Sequence, residues 1–173
     1  MNKIYTTQFG EANFPHLNKP DTQFNSQGIY QVKLLVKAVD AEGDINIINQ
    51  IIDNEVSIQQ NKRIDKKDSL LKAPLPFKSI EDGRIQFQFK SKFKPKLFDH
   101  NLDILDDNKF IWGGSIIRVN YKPASYYVPK TGVGCTLRFV SVQVKHLIEG
   151  NSALQGFEPI ETNNFFAETS SFL

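Results

Sequence analysis

A strict two-residue alternation at residues 84–94, RIQFQFKSKFK, constrains the fold more than any other feature of the chain. One set of positions holds only Arg, Gln and Lys, and the other set holds Ile85, Phe87, Phe89, Ser91 and Phe93. Successive side chains of a β-strand point to opposite faces of a sheet. The alternation therefore predicts a strand with one face in a core and the other in water.

Three further segments alternate in the same way and are predicted to be strands: 28–39, 115–121 and 135–147. In the last of them the alternation changes phase near Phe139 and Val140. One extra residue in a strand produces such a change, so we expect a β-bulge at this point.

Residues 44–63 change to a helical period, with isoleucines and a valine three or four residues apart. Asp44 can cap the start of a helix, and Lys62 and Arg63 suit the negative end of its dipole. The segment therefore predicts one amphipathic helix, inserted between strands, with its apolar side packed on the core.

The segments between the predicted strands carry turn-forming residues. Residues 1–27 contain Pro15 and Pro20 and show no periodicity, which indicates an extended arm or irregular loop. Residues 95–109 are expected to form a long connection with a short strand near Leu102–Leu105. At least five strands and one helix predict a mostly β chain, packed as a small Greek-key barrel.

No catalytic or metal-binding pattern stands out. Cys135 is the single cysteine, and the three histidines have no spacing suited to zinc. The chain contains none of the common nucleophile, phosphate-loop or zinc-protease motifs. It also has no apolar run of about 18 residues and no secretory signal. We therefore expect a non-enzymatic cytoplasmic protein that needs no metal or cofactor and has no membrane segment.

Charge is unevenly distributed along the chain. Residues 146–173 contain four Glu and no Lys or Arg, so they carry −4 and residues 1–145 carry 21 − 15 = +6. A basic body with an acidic end favours a polyanion partner, although ordinary charge scatter gives the same numbers. Phenylalanines separated by polar residues predict a mobile tail at 150–173, after a domain at 1–149.

Basic and aromatic side chains recur at two places. Lys90, Lys92 and Lys94 are spaced at twice the strand rise, roughly 6.5–7 Å, close to the phosphate repeat of an extended single strand. A solvated or edge-protecting face is the alternative. Tyr126 and Tyr127 then lie in a predicted loop that is rich in Lys, Pro and Gly. Single-stranded nucleic acid is held by such a combination of cations and rings on which bases stack.

A series of short motifs runs through the first 147 residues in a fixed order. The series is KIYTTQFGEANF (3–14), KPD (19–21), Gly28-x-Tyr30-x-Val32-x-Leu34, the helix, Pro76-Phe77, FQFK (87–90), GGS (113–115), Val119-x-Tyr121, a Tyr-containing loop, GVG (132–134), and Ser141-Val142 with Leu147. In this order and spacing the chain resembles the replication single-stranded-DNA-binding proteins of short-tailed bacteriophages.

The resemblance implies an OB-fold core and sequence-independent binding of single-stranded DNA in phage replication and recombination, with protection and annealing of strands. It implies a homodimer in the host-cell cytoplasm and an acidic tail that competes with DNA and contacts the phage DNA polymerase and helicase-primase. This tail departs from the family pattern, because there are only four Glu after Lys145 and the chain ends in Phe172-Leu173 rather than in a run of acids closed by Phe. Val128 also stands where the family has a tryptophan, so Tyr127 is expected to substitute for it in stacking.

The predicted site follows from the residues and the resemblance together. Stacking is assigned to Tyr126 and Tyr127, with Phe93 and Phe139 as weaker candidates, and the core is the favoured position for Phe93. The predicted phosphate contacts are Lys90, Lys92, Lys94, Arg118, Lys122 and Lys130, with Lys33 and Lys3 as weaker ones. The predicted tail contacts are Phe165, Phe166, Phe172 and Leu173. Two alternatives stay open: single-stranded RNA binding on the same fold, and a phage interaction protein that acts through its Phe-rich tail.

Overall fold

The computed structural model describes residues 3–63 and 70–148, together with Phe157 and Ile160. The predicted tail contacts therefore lie outside the described residues. In chain order the elements are β1 (Tyr5–Thr6), β2 (Gly10–Asp21), β3 (Ile29–Val36), α1 (Ala38–Lys62), β4 (Phe77–Ser79), β5 (Ile85–Ser91), β6 (Lys96–Phe98), β7 (Ile116–Val128) and β8 (Gly132–His146). Within these residues, no helix is long and apolar enough to cross a membrane.

Five long strands close into a barrel in the order β2-β3-β5-β8-β7, and β7 pairs back to β2. Four of these pairings are antiparallel, whereas β5 and β8 run parallel and meet where Phe89 pairs with Leu137. The short strands β1, β4 and β6 extend the sheet beside β7, β5 and β8. A five-stranded Greek-key barrel is the OB-fold architecture, so the predicted fold class is confirmed.

Alternate residues of the long strands fill the barrel. Phe87 and Phe89 of β5 are fully buried, and the Phe89 ring meets the edge of the Tyr121 ring with 5.4 Å between centroids. The predicted alternation is therefore confirmed for β3, β5 and β7. Further buried core residues are Val32, Leu34, Val36, Ile117, Val119, Leu137, Phe139, Val142 and Val144.

The predicted bulge lies in β8. Tyr121 pairs with Phe139, and the preceding residue, Asn120, pairs with Ser141. Val140 is therefore the extra residue on β8. It lets both Phe139 and Val142 reach the core although they are three positions apart.

The helix begins six residues earlier than its period suggests, because β3 leads almost directly into it at Ala38. No side chain caps its first turn. The predicted cap at Asp44 is wrong, since this residue lies inside α1 and is buried against the barrel. The Tyr121 hydroxyl donates a 2.5 Å hydrogen bond to Asp44 Oδ1, which supplies the partner that a buried carboxyl needs.

Burial raises the pKa of the Asp44 carboxyl above its ordinary value, and the hydrogen bond from Tyr121 opposes part of that rise. Burial, followed by the hydrogen bond to Asp44, raises the pKa of Tyr121. The pair therefore joins α1 to β7 in the core. From the sequence alone, Asp44 is expected only to cap a helix and Tyr121 only to lie in a strand.

The expectation of an extended arm or irregular loop over residues 1–27 is wrong for Gly10–Asp21, which forms β2, a full strand of the barrel. This strand pairs with β3, but its register shifts between Asn13 and His16 and again before Asp21. Phe14 has a left-handed φ of 48°, and the next residue is Pro15, which has no N–H to donate. These irregularities remove the alternation by which the strand could be recognised.

The connection after β5 also differs from its prediction. Its strand, β6, lies at Lys96–Phe98 rather than near Leu102–Leu105, where Ile104 forms only an isolated bridge to Phe98. The side chain of Asp99 accepts hydrogen bonds from the backbone N–H groups of Asn101 (2.8 Å) and Asp103 (3.0 Å), so it organises a turn.

Candidate nucleic-acid interface

The outer surfaces of β2, β3 and β5 form one continuous face. Lys33 on β3 lies between Asn13 and Gln88, and Gln31 lies between His16 and Lys90. All of these side chains point away from the core and are at least partly exposed. We call this surface, together with the exposed turn that follows β5, the barrel face, defined by Asn13, Phe14, His16, Gln31, Lys33, Gln88, Lys90, Lys92 and Phe93.

Exposed phenylalanine rings lie on and beside the barrel face. Phe14 is 67 % exposed, and Lys33 Nζ lies 5.6 Å from the centroid of its ring. Phe24, in the turn between β2 and β3, is 92 % exposed, and Phe93, just after β5, is 80 % exposed. Because Tyr30 pairs with Ser91, the turn that contains Phe24 and the segment that contains Phe93 lie at the same end of the barrel.

The favoured core position of Phe93 is wrong, because β5 ends at Ser91. The Ser91 hydroxyl accepts a 3.0 Å hydrogen bond from the backbone N–H of Phe93, and the chain turns there. Lys90 is therefore the only member of the predicted lysine row on the strand, and Lys92 and Lys94 belong to the turn around Phe93. All three lysines are exposed, although the strand rise does not set their spacing.

The predicted tyrosine loop is a two-stranded ribbon. Pairing between β7 and β8 continues without interruption from Tyr121 to Val128, which pairs with Gly132, and only the three residues 129–131 form the turn. We call residues 122–138 the distal hairpin. Because the tyrosines are adjacent in a strand, Tyr126 and Tyr127 point to opposite faces of it.

Tyr126 lies on the outer face of the distal hairpin. It pairs with Gly134, and its ring lies so close to that backbone that any Cβ at position 134 would overlap it. The side chain remains 36 % exposed. Gly134 therefore leaves the space in which a tyrosine ring lies along the ribbon and stays within reach of a base.

Tyr127 lies on the inner face and is half-buried against the core. On the same face the Ser125 hydroxyl donates a 3.0 Å hydrogen bond to Glu55 of α1. These contacts attach the distal hairpin to the helix. Tyr127 is consequently a packing residue, and stacking by a tyrosine pair reduces to a prediction for Tyr126 alone.

The remaining predicted contacts are dispersed. Lys122 and Lys130 lie on the distal hairpin, and Lys3 lies beside Tyr5, with 5.1 Å between its Nζ and the ring centroid. Arg118 is held elsewhere by Gln143, whose Oε1 accepts a 2.8 Å hydrogen bond from Arg118 Nε, and by the ring of Phe9. Phe139 is 4 % exposed, so it offers no ring face to a base.

Sequence reasoning missed Phe14, Phe24 and Arg138. The two phenylalanines lie in a region without alternation, where an apolar residue has no predicted face. Arg138 follows Leu137 in a strand whose outward positions look like ordinary solvated sites. The available signal was Phe14 directly before Pro15, because a proline within a strand marks an edge position or a bulge.

The single cysteine does not contribute to this surface. Cys135 is buried, and burial raises the pKa of its thiol to about 11, which keeps it protonated near neutral pH. Across residues 3–63 and 70–148, no group of three or more His, Cys, Asp or Glu side chains is placed to hold a metal ion.

Three comparisons with known proteins bear on this architecture. No protein-family model matches the chain, and no curated protein matches it by sequence. Among solved structures, gp2.5, a single-stranded DNA binding protein encoded by bacteriophage T7, superposes with a TM-score of 0.74 at 20 % identity. That match covers 92 % of this chain and 98 % of gp2.5.

The single-stranded DNA-binding protein from bacteriophage Enc34, in complex with ssDNA, matches with a TM-score of 0.61 at 19 % identity, over 84 % of this chain and 88 % of its own. A C-terminal truncation of the same protein matches with a TM-score of 0.59 at 17 % identity, over 86 % and 88 %. Superpositions with these TM-scores over most of each chain establish a shared fold. The chain therefore has the barrel fold of these phage single-stranded-DNA-binding proteins, in agreement with its motif order.

Proposed function

We propose that this protein binds single-stranded DNA without sequence preference and without catalysing a reaction. The observation that carries the proposal is the barrel face, where Phe14 and Phe93 expose most of their surface beside Lys33, Lys90 and Lys92. Large exposed apolar side chains that are grouped on one surface, rather than scattered, mark an interaction site. Rings interleaved with lysines fit a ligand that alternates flat bases with phosphates.

The fold supports this choice. The outer face of the second and third strands of an OB-fold, together with the first and fourth interstrand loops, is its usual surface for oligonucleotides. In this chain those strands are β3 and β5, and the loops are the turns that contain Phe24 and Lys130. The Enc34 protein, which has the same fold, is a single-stranded-DNA-binding protein solved in complex with ssDNA.

Sequence indifference follows from the kind of contact. Each base has a π-face, so stacking on phenylalanine contributes about 1–3 kcal/mol for any base. Lysines that neutralise phosphates carry no sequence information either. The barrel face therefore binds the features that all single strands share.

The biological setting is part of the proposal. We place the protein in the host-cell cytoplasm, as a homodimer in phage DNA replication and recombination, where it protects and anneals strands. Its domains are 1–149 and an acidic tail at 150–173. Its contacts with the phage DNA polymerase and helicase-primase use Phe165, Phe166, Phe172 and Leu173. The four Glu and no Lys or Arg after Lys145 support a tail that repels DNA and is free for a basic protein partner.

A titration with fluorescent oligo-dT at several salt concentrations tests the proposal. The logarithm of the affinity falls linearly with the logarithm of salt concentration, with a slope of about −0.7 per neutralised phosphate. An oligo-rU of the same length and a duplex serve as comparison ligands. A flat salt dependence, or equal affinity for duplex DNA, contradicts the proposal. A preference for oligo-rU assigns the surface to RNA, because only RNA offers a 2′-hydroxyl.

A further inference from the structure

Three cations from neighbouring strands form a line across the outer surface of the barrel. Lys122 on β7 pairs directly with Arg138 on β8. Leu137 pairs with Phe89 in the parallel β5–β8 contact, so the next residue on each strand places Arg138 beside Lys90. We call Lys90, Arg138 and Lys122 the cation line. The backbones of their strands are separated by the interstrand spacing of about 4.8 Å.

This arrangement opposes stability unless an anion is nearby. Like charges on directly opposite residues of an antiparallel pair destabilise a sheet. In the described part of the chain, none of the three cations takes part in an ion pair. The ion pairs there have only His16 and Arg84 as their positive groups. The sheet therefore holds a concentration of positive charge that its own carboxylates do not neutralise.

The cation line leads into a groove of about 660 Å³ between α1, β1 and the edge of β7. The charged residues that line the groove are Lys3, Lys122, Arg138 and one carboxylate, Glu55. Gln59 Nε2 donates a 2.7 Å hydrogen bond to Glu55, and the Ser125 hydroxyl donates another of 3.0 Å. Because both oxygens of Glu55 are engaged, the groove presents three cations to a ligand and one carboxylate that is already hydrogen-bonded.

The other walls of the groove suit bases. Ile47 and Ile51 of α1 provide an apolar side, and Tyr5 provides an aromatic ring beside Lys3. The volume lies within the range of about 300–1,000 Å³ that is typical of ligand clefts. Gln50 and Asn54 add amide groups on the helix side. The groove thus combines apolar surface, amides and cations.

We propose that this groove is a second site for single-stranded DNA and that it receives a strand that leaves the barrel face along the cation line. Phosphates bind Lys90, Arg138 and Lys122 in succession, and the following nucleotide lies between α1 and Tyr5. The inference rests on the proposed function, because Lys90 belongs to both surfaces. Because the barrel face and the cation line share Lys90, one DNA strand can occupy both surfaces. This favours DNA over an acidic peptide, which would not bind the barrel face first.

Length dependence of binding tests the inference. The full chain, with and without Lys122→Gln and Arg138→Gln combined, is titrated with dT oligomers of about 6 and about 20 nucleotides. The first is near the lower end of the about 4–16 nucleotides that one OB-fold covers, and the second exceeds that range. We expect the double variant to bind the short oligomer within about twofold of the unaltered protein and the long one about tenfold more weakly. The salt slope for the long oligomer falls by about 1.4, because two phosphate contacts are lost.

A matched variant controls for net charge. Lys37→Gln removes one positive charge outside the barrel face and outside the groove, at the residue that precedes α1. It leaves the long-oligomer affinity close to that of the unaltered protein. An equal effect of Lys37→Gln and of either groove substitution alone overturns the inference, because charge loss anywhere would then explain the result.

A second variant acts from the opposite wall. Gln50→Glu keeps the shape of an exposed helix residue and adds a carboxylate to the groove. It weakens binding of the long oligomer alone. The inference is overturned if the variants weaken both lengths equally, or if they weaken neither, in which case the groove is open to an acidic peptide. If the unaltered protein binds no oligomer of either length, the proposed function itself is contradicted.

Discussion

The barrel face and the distal hairpin both combine cations with aromatic rings, but they expose those rings by opposite means. Phe14 has a left-handed φ within the register shift between Asn13 and His16, and Phe93 follows the end of β5. Tyr126 lies instead in an unbroken ladder, where Gly134 leaves space for its ring. One region exposes rings where regular pairing fails, and the other exposes a ring where pairing is regular.

This difference has an energetic consequence. A mostly exposed phenylalanine is free to change rotamer, and ordering such a side chain on binding costs about 0.5–1.5 kcal/mol. The ring of Tyr126 already lies against the backbone of Gly134, so less freedom remains to be lost. The barrel face therefore offers more aromatic surface, whereas the distal hairpin offers a ring that is already in place.

The largest expected effect comes from the barrel face. Phe14→Ala combined with Phe93→Ala removes two rings, and it weakens oligo-dT binding by about 2–6 kcal/mol at about 1–3 kcal/mol per stacked base. Thermal unfolding should change little, since both rings are exposed. Ile104→Ala, at another exposed apolar residue, is the control. An unchanged dissociation constant in the double variant would show that DNA does not use the barrel face.

The second prediction separates the two tyrosines of the distal hairpin. Tyr126→Ala weakens oligo-dT binding by about 1–3 kcal/mol without loss of stability. Tyr127→Ala lowers the free energy of unfolding, because its ring packs against the core, and it leaves the affinity of the folded protein near its original value. Fluorescence titration and urea unfolding measure the two effects. Equal losses of affinity in the two variants would show that both tyrosines stack on bases.

The third prediction concerns the space that Gly134 leaves. Gly134→Ala displaces the Tyr126 ring and weakens DNA binding by about 1 kcal/mol. In a Tyr126→Ala background the same substitution has no further effect on affinity, because there is no ring to displace. A double-mutant cycle on the dissociation constants measures this coupling. Additive effects would mean that Gly134 acts on DNA by another route.

The smallest effect on DNA binding, and a clear effect on stability, is expected at Asp44, which is buried between α1 and β7. Its pKa is raised in the folded state, so its contribution to stability is greatest below the unfolded value of 3.8 and is lost as pH rises through the folded value. Asp44→Asn keeps an acceptor for Tyr121 and removes the charge. It raises the free energy of unfolding by about 1 kcal/mol at neutral pH, with no change in DNA affinity.

Urea unfolding at several pH values measures that difference. The advantage of Asp44→Asn grows from acid to neutral pH, because only the native Asp44 must be buried with a charge as pH rises. Tyr121→Phe is the paired variant, which deprives the buried carboxyl of its hydroxyl donor and destabilises the fold by about 1–3 kcal/mol. A difference that is constant with pH would mean that Asp44 does not titrate in the folded protein.

Sequence reasoning succeeded where one strand face is buried along its length. Phe87 and Phe89 alternate with glutamines on β5, and the bulge at Val140 appears as a change of phase. It failed at β2, where Phe14 and Pro15 interrupt the ladder and remove the period. The alternation rule therefore identifies regular strands and not the irregular ones that expose aromatic residues.

The candidate site was only partly predictable for the same reason. Pro123 and the nearby glycines indicate a loop, yet a proline is tolerated where a strand has a free edge, and Pro123 lies on β7 beyond its pairing with β1. The neighbours of Arg138 depend on the register of three strands. No local pattern contains that register, so the cation line is visible only in the folded barrel.

The order of strands in the barrel has a consequence for synthesis. β2 pairs with β7, the two segments being about a hundred residues apart, and the ring of strands closes only through β8. Arg138 and Gly134 are also among the last folded residues to leave the ribosome. A growing chain therefore has Lys33 of β3 and Lys90 of β5 long before it has a barrel to display them, so the barrel face is complete only after β8 has been synthesised.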